Sequence, residues 1–346
     1  MSEILLSICI PTYKREHILI KTLRENLLEC PEKEIQFVIC ADGPTNKIES
    51  KLNQWKDERI ILIKSDTRLG IDASIIKSIQ VAVGKYIMLM SDEDYIKWDS
   101  IKWVLNIISS HYEYTQILGG INYNDKGIIK PYYTFKDKIW QAGNESLIYF
   151  FYKYKYLTGL ILKKSALNLK KAKKYIGSAY MCSVLSAMAM VNGDTISTSK
   201  VFCMMGEPDP NITYITMTQK DDTVKNKSVY IPLSRYFQMH YRKHLIYELT
   251  ENFPKARKIL LKRERAIAAG LLVASFCKSI YSFLKVLPYI LRTKEYSLSL
   301  NFWISIPKYI FIYTRNMLKN KEDLRFFIRQ LINPNESLII LEWPKV

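Results

Sequence analysis

Four short apolar runs near the start of the chain constrain its fold more than any other feature. Residues 4–10 (ILLSICI) stop at Pro11, and residues 35–40 (IQFVIC) stop at Ala41-Asp42-Gly43-Pro44. Residues 60–63 (IILI) precede the turn at Arg68-Leu69-Gly70, and Tyr86–Met90 runs into Ser91-Asp92-Glu93-Asp94. Dense apolar runs this short, bounded by breakers, read as buried strands. Between them the apolar spacing turns helical, as in Ile18, Leu19, Leu23 and Leu27, or Ile75, Ile76, Ile79 and Val83. Strands alternating with helices predict βαβ units and a mostly parallel central sheet flanked by helices, an α/β Rossmann-like architecture. Ligands of such sheets bind beyond the carboxyl ends of the strands, so the four polar loops are expected to share one rim.

The pattern continues with a helix near residues 98–110, strands near 115–123, 127–133 and 157–162, a helix near 180–191 and a strand near 195–205. Gly206-Glu207-Pro208-Asp209-Pro210 then breaks it. A catalytic domain over residues 1–220 and a helical C-terminal region over 221–346 are expected. The 48% hydrophobic content excludes a disordered chain. No uncharged apolar run reaches the length of a spanning helix, and the apolar start is too short for a signal peptide. The six cysteines, with no C-x-x-C pair among them, read as buried free thiols of a cytoplasmic protein.

The net charge of +18 is unevenly spread. From Arg235 to Val346 there are 20 Lys/Arg against 8 Asp/Glu, and the rest of the chain has 31 against 25. A basic run (Lys255, Arg257, Lys258, Lys262, Arg263, Arg265) precedes mostly apolar residues 266–291. Such a segment is suited to lie in the interface of an anionic membrane. Packing on the catalytic domain, or on a second copy in a homo-oligomer, is the competing use of the same faces. Specific nucleic-acid binding lacks a recognisable zinc finger or RNA-binding aromatic motif.

The chemistry concentrates at Asp92-Glu93-Asp94. Three consecutive acids after a buried strand repel one another unless a cation or hydrogen-bond donors compensate. Alternate residues of an extended chain point the same way, so Asp92 and Asp94 can share one ligand. Their oxygens suit Mg²⁺ or Mn²⁺, which neutralises a departing diphosphate. A solvated acidic turn is the alternative. Asp42 either caps the following helix or binds a nucleobase imino group. Pro11, Thr12 and Tyr13 form a turn or line a nucleotide pocket, and Arg68 pairs with a phosphate or with an acid such as Asp66. His240 and His244 lie one turn apart on a helix, without the glutamate of a zinc-protease motif. Neither a P-loop nor GxGxxG follows the first strand.

Ser7-Ile-Cys-Ile-Pro-Thr-Tyr13, Cys40-Ala-Asp-Gly-Pro44, Arg68-Leu-Gly-Ile-Asp-Ala73 and Gly84–Asp94 together resemble glycosyltransferase family 2 in order and spacing. Its abequosyltransferase-like members, which build O-antigen or capsule, are the most similar in flavour. The resemblance implies a GT-A fold and an inverting, metal-dependent transfer from a nucleotide sugar, with UDP one candidate nucleotide, to a saccharide or lipid-linked glycan. Carried onto this sequence, it implies that Pro11, Thr12 and Tyr13 line the nucleotide and Asp42 holds the base. Arg68 and Asp72 border the donor, Asp92 approaches the ribose or metal, and Asp94 coordinates the metal. Gly159 falls in the acceptor-side segment. The family's acidic pair at a later helix start is missing from Gly177-Ser-Ala-Tyr-Met-Cys182, so Glu207 and Asp209 become the candidate bases, with Asp194 and Glu145 behind them. That gap leaves open a retaining or atypical mechanism, or an inactive scaffold of glycan assembly.

Overall fold

The computed structural model describes residues 3–30, 33–43, 45–65, 67–110, 112–153, 156–206, 232–278 and 280–319. The chain divides into two compact units, Met1–Asn226 and Lys227–Val346.

In the first unit the strands are β1 (Leu6–Thr12), β2 (Ile35–Ala41), β3 (Ile60–Lys64), β4 (Tyr86–Leu89), β5 (Tyr95–Ile96), β6 (Gln116–Asp125), β7 (Ile128–Tyr133), β8 (Lys138–Trp140), β9 (Leu160–Lys163) and β10 (Thr195–Met204). The helices are α1 (Glu16–Leu28), α2 (Asn46–Trp55), α3 (Ile71–Val81), α4 (Trp98–Ser109), α5 (Asn144–Phe150), α6 (Leu169–Ala172) and α7 (Met181–Asn192).

One sheet runs in the order β3-β2-β1-β4-β9-β6-β10-β5, with β7 on β6 and β8 on β10. Strands β1 to β4 are mutually parallel. β9 is antiparallel to both β4 and β6, and β10 is parallel to β6. Six strands therefore point one way around a reversed β9. The reversal follows from connectivity: residues 156–159 lie at the carboxyl end of β4, where the Gly159 amide bonds to the Leu89 carbonyl at 3.0 Å, so the strand that follows must run back.

The apolar runs are dense because the sheet is covered on both faces. Leu6, Ile8, Ile10, Phe37, Ile39 and Met88 pack with Leu19 and Leu23 of α1, Ile48 of α2 and Ile101 and Val104 of α4. α3 packs on β1 and β2, bringing Ser78 to Cys9 and Ser74 to Cys40. Burial pushes those two thiols up, to about 12 and about 11. The five cysteines with described side chains are buried and free.

The second unit contains α8 (Pro232–Leu249), α9 (Pro254–Lys278), α10 (Ile280–Arg292), α11 (Lys294–Ser297) and α12 (Leu300–Lys319). The basic run and the apolar stretch that begins at Ala266 are one helix as far as Lys278, and a separate helix starts at Ile280. Ala268, Ala269, Leu271, Leu272 and Val273 pack in the unit's own core with Tyr236, Met239, Phe302 and Tyr309. Gly270 of α9 lies so close to the Tyr309 ring that a Cβ there would sit 2.9 Å from it. This first half of the apolar stretch is internal packing, so it is not the membrane-facing surface expected from the sequence.

Candidate active site

In chain order the sheet grows from β1 outward to β2 and β3, then returns to add β4 on the other side. The β1–β4 border is thus the topological switch point, where open α/β sheets hold ligands. Pro11 and Thr12 end β1, and Ser91–Asp94 follow β4. Thr12 Oγ1 donates to Asp92 Oδ2 at 2.6 Å across that border. Arg15 Nη1 reaches Asp92 Oδ1 at 2.8 Å, and the same guanidinium bonds to Glu93.

Asp94 is fully buried. Its carboxylate accepts from the Tyr156 hydroxyl at 2.9 Å, the Thr158 hydroxyl and the Gly206 amide at 2.9 Å. Gly206 must be glycine: a Cβ there would fall 1.8 Å from the Glu93 carbonyl oxygen. Asn26 of α1 fixes the backbone of the acidic turn, donating to the Asp94 carbonyl at 3.1 Å and accepting from the Ile96 amide at 2.9 Å. Thr22 donates to the Asp92 carbonyl at 2.6 Å. The acidic segment is therefore a braced, buried turn and not a solvated one.

Burial raises the Asp92 carboxyl above its ordinary range, against the Arg15 charge and the Thr12 hydrogen bond. Burial raises Asp94 too, against its donors from Thr158, Gly206 and Tyr156. Tyr156 is itself held protonated by burial and by the neighbouring Asp94, so its hydroxyl donates.

The residues expected around a nucleotide lie on the same rim. The Arg68 guanidinium stacks on the Tyr13 ring, 3.9 Å from the centroid, and Nη1 donates to the Tyr13 hydroxyl at 3.0 Å. Asp42 accepts from the Leu69 amide at 2.5 Å and the Gly70 amide at 2.7 Å. It thus ties the end of β2 to the loop entering α3 and does not cap α2. Asp72 reaches from the first turn of α3 to the start of α7, where its carboxylate accepts from the amides of Gly177 and Ala179 at 2.9 Å and of Met181 at 3.2 Å. A carboxylate on the exposed amides of a helix start is favoured electrostatically. Asp72 therefore puts an acid at the helix start where the local sequence has none, although burial raises its carboxyl.

Glu207 and Asp209 lie outside the described residues. Asp194 and Glu145 do not reach the rim. β6 and β10 carry their carboxyl ends to it, whereas Asp194 precedes β10 and Glu145 lies beside β8, which pairs with the beginning of β10. Neither can serve as the base. Arg15, Thr22, Asn26, Tyr156, Thr158 and Gly206 join the site without having been singled out by any sequence pattern. Arg15 stands next to the first motif, Tyr156 and Thr158 lie in the segment around Gly159, and Gly206 opens the break after β10, whereas Thr22 and Asn26 come from the interior of α1.

The donor set suits one hard divalent cation. The turn brings three carboxyl groups to one Arg15 guanidinium, which bonds to Asp92 and Glu93, and the hydrogen bonds to Asp94 come from neutral groups. Among the described residues no three His, Cys, Asp or Glu side chains are grouped so that they could hold a metal ion by themselves. That fits ions completed by substrate phosphates and water. His240 and His244 approach at 3.1 Å between their Nε2 atoms in α8, also without a third ligand.

Residues 7–167 match the family model Glycosyl transferase family 2, and this segment belongs to that family. The chain is 34% identical over 97 residues to an uncharacterized glycosyltransferase of Methanocaldococcus jannaschii, covering 27% of this chain and 33% of the relative. It is 30% identical over 112 residues to the UDP-Glc:alpha-D-GlcNAc-diphosphoundecaprenol beta-1,3-glucosyltransferase WfaP of Escherichia coli, covering 32% and 41%. Abequosyltransferase RfbV of Salmonella typhimurium is 29% identical over 103 residues, covering 28% and 30%. The matched stretch thus spans about a third of the length of these curated relatives. S. aureus TarS 1-349 in complex with UDP superposes with a TM-score of 0.58 at 14% identity, covering 90% of this chain and 92% of that one. Its complex with UDP-GlcNAc gives 0.54 at 15% identity, covering 88% and 80%. The fold is the GT-A type expected from the sequence.

Proposed function

We propose that this protein is a glycosyltransferase that moves a sugar from a nucleotide donor, with UDP the favoured nucleotide, to a hydroxyl of a bacterial surface polysaccharide or its lipid-linked precursor. The observation that carries the proposal is the pair of braced, buried aspartates at the β1–β4 switch point, beside the stacked Tyr13 and Arg68. Tyr13, Arg68, Asp42, Pro11 and Thr12 border the nucleoside, and Asp92 faces the ribose or the cation. Asp94 holds Mn²⁺ or Mg²⁺, with Asp92 beside it. When bound, that ion supplies positive charge where negative charge grows on the leaving diphosphate. The chain's own residues do the rest: Thr12 and Arg15 orient Asp92, while Tyr156, Thr158 and Gly206 orient Asp94.

Inversion requires a base within hydrogen-bond reach of the acceptor hydroxyl. We assign it to Glu207 or Asp209, because Gly206, immediately before them, already touches Asp94. The names of WfaP and RfbV support a glycan acceptor. Peripheral work at the cytoplasmic membrane face completes the reading.

The test is to incubate the protein with several nucleotide sugars and Mn²⁺ or Mg²⁺ and measure released nucleoside diphosphate. Metal-dependent release that Asp94→Asn abolishes is expected. Release indifferent to chelator and to that substitution rejects the site.

A further inference from the structure

α12 has two faces. Phe302, Ile306 and Tyr309 turn inward to the core of the second unit. The opposite side is apolar as well: Leu300 is 72% exposed, Trp303 47%, Ile304 62% and Phe311 68%. Positions 300, 304, 307 and 311 fall in one stripe at helical spacing, with Trp303 on its flank. Leu298, just before the helix, is 79% exposed. Soluble monomers rarely leave so many large apolar side chains contiguous and open.

The charge around this stripe has one sign. Arg292 and Lys294, shortly before the helix in sequence, and Lys308 within it are exposed. From Ile280 to Lys319 the sequence has six Lys/Arg and a single acid, Glu295, which Lys243 already pairs at 3.3 Å. No helix among the described residues is long and apolar enough to cross a membrane. A helix with an outward aromatic and aliphatic stripe, cationic flanks and no spanning length is built to lie in an interface. A protein partner would need matching acids around an apolar groove. An anionic bilayer offers both properties over any area.

We propose that the outward face of α12, from Leu298 to Phe311, is the surface by which this protein rests on an anionic phospholipid membrane. Leu300, Ile304 and Phe311 enter the acyl boundary, Trp303 sits at headgroup level, and Arg292, Lys294 and Lys308 meet the lipid phosphates. This deepens the peripheral location proposed above and moves it from the sequence-expected stretch, whose first half is internal, to a face that is open.

The experiment is co-sedimentation of the full chain with vesicles of phosphatidylcholine alone or with phosphatidylglycerol added. No nucleotide sugar is present, so the outcome is independent of the sugar-transfer reading. Binding that requires phosphatidylglycerol, weakens in high salt and falls about tenfold or more in both Leu300→Glu and Ile304→Glu supports the proposal. Circular dichroism should match the parent, because both side chains are open in the structure. Lys308→Gln should weaken binding about fivefold, the effect of one juxtamembrane charge. Unchanged partitioning of the glutamate variants overturns it. So does a parent chain that ignores vesicles and is a dimer by light scattering that Ile304→Glu converts to monomer, since the occupant is then a second copy.

Discussion

Asp94 in the first unit and Glu264 in the second are both fully buried acids, and they are neutralised in opposite ways. Glu264 of α9 meets the Arg242 guanidinium of α8, with Nε at 2.7 Å and Nη2 at 3.4 Å. Its charge is closed within the protein. Asp94 receives hydrogen bonds from neutral groups, and its charge keeps the price of burial. A buried acid with a cationic partner is part of the architecture. Asp94, hydrogen-bonded by neutral donors at the switch point of the sheet, keeps a charge that an arriving cation can compensate.

Substitutions sharpen that contrast. The largest effect is expected from Asp94→Asn, which should lower nucleoside diphosphate release roughly a hundredfold or more. Its thermal stability should stay level or rise, because the amide oxygen can still accept from the Gly206 N–H while its NH₂ faces the Tyr156 and Thr158 hydroxyls, which can turn to accept. A clear loss of stability would make Asp94 an architectural acid like Glu264 and break the comparison. Glu264→Gln should do the reverse. It leaves Arg242 half-paired and is expected to cost about 2 to 3 kcal/mol in urea unfolding of the helical unit. A neutral result would show that the closed pair contributes nothing to holding α8 on α9.

Asp92 and Asp94 were legible in the sequence because a strand dense in apolar side chains runs straight into acids. The rim was legible because breakers follow each of the first strands. The groups that hold Asp94 were not. Tyr156, Thr158 and Gly206 lie 62, 64 and 112 residues away in sequence, and only tertiary structure assembles them. The short β5, β8, α5 and α6 were equally invisible, since two to seven residues show no periodicity. Residues 266–278 mislead because apolar composition cannot separate a face buried among helices from one that meets lipid. α12 carries both kinds on one helix, distinguished by side alone.

The resemblance leads one to expect Asp72 at the border of the donor, and its hydrogen-bond partners lie 105 to 109 residues on. Replacing it with Asn tests whether a carboxylate is needed there. One amide oxygen can still accept, but the NH₂ group must face backbone N–H donors. A cost of about 2 kcal/mol is expected by urea unfolding. Asp72→Ala with an unchanged unfolding midpoint would reduce the tether to a coincidence of packing.

The smallest effect carries a definite sign. Burial raises the Asp94 carboxyl above its unfolded value, so the folded chain binds its proton more tightly than the unfolded chain does. This contribution is present in full below the ordinary carboxylate range and is lost as pH rises through the raised folded value. Asp57 titrates the opposite way, held low by Arg59, so the whole-protein curve mixes both signs. The difference between parent and Asp94→Asn isolates the one site. Measured by urea midpoint without divalent ions, the variant's advantage should grow as pH rises out of the ordinary carboxylate range and through the raised folded value. Adding Mn²⁺ to the parent should shrink it. A gap that stays flat with pH would mean that Asp94 is already neutralised within the protein, and the distinction between it and Glu264 would disappear.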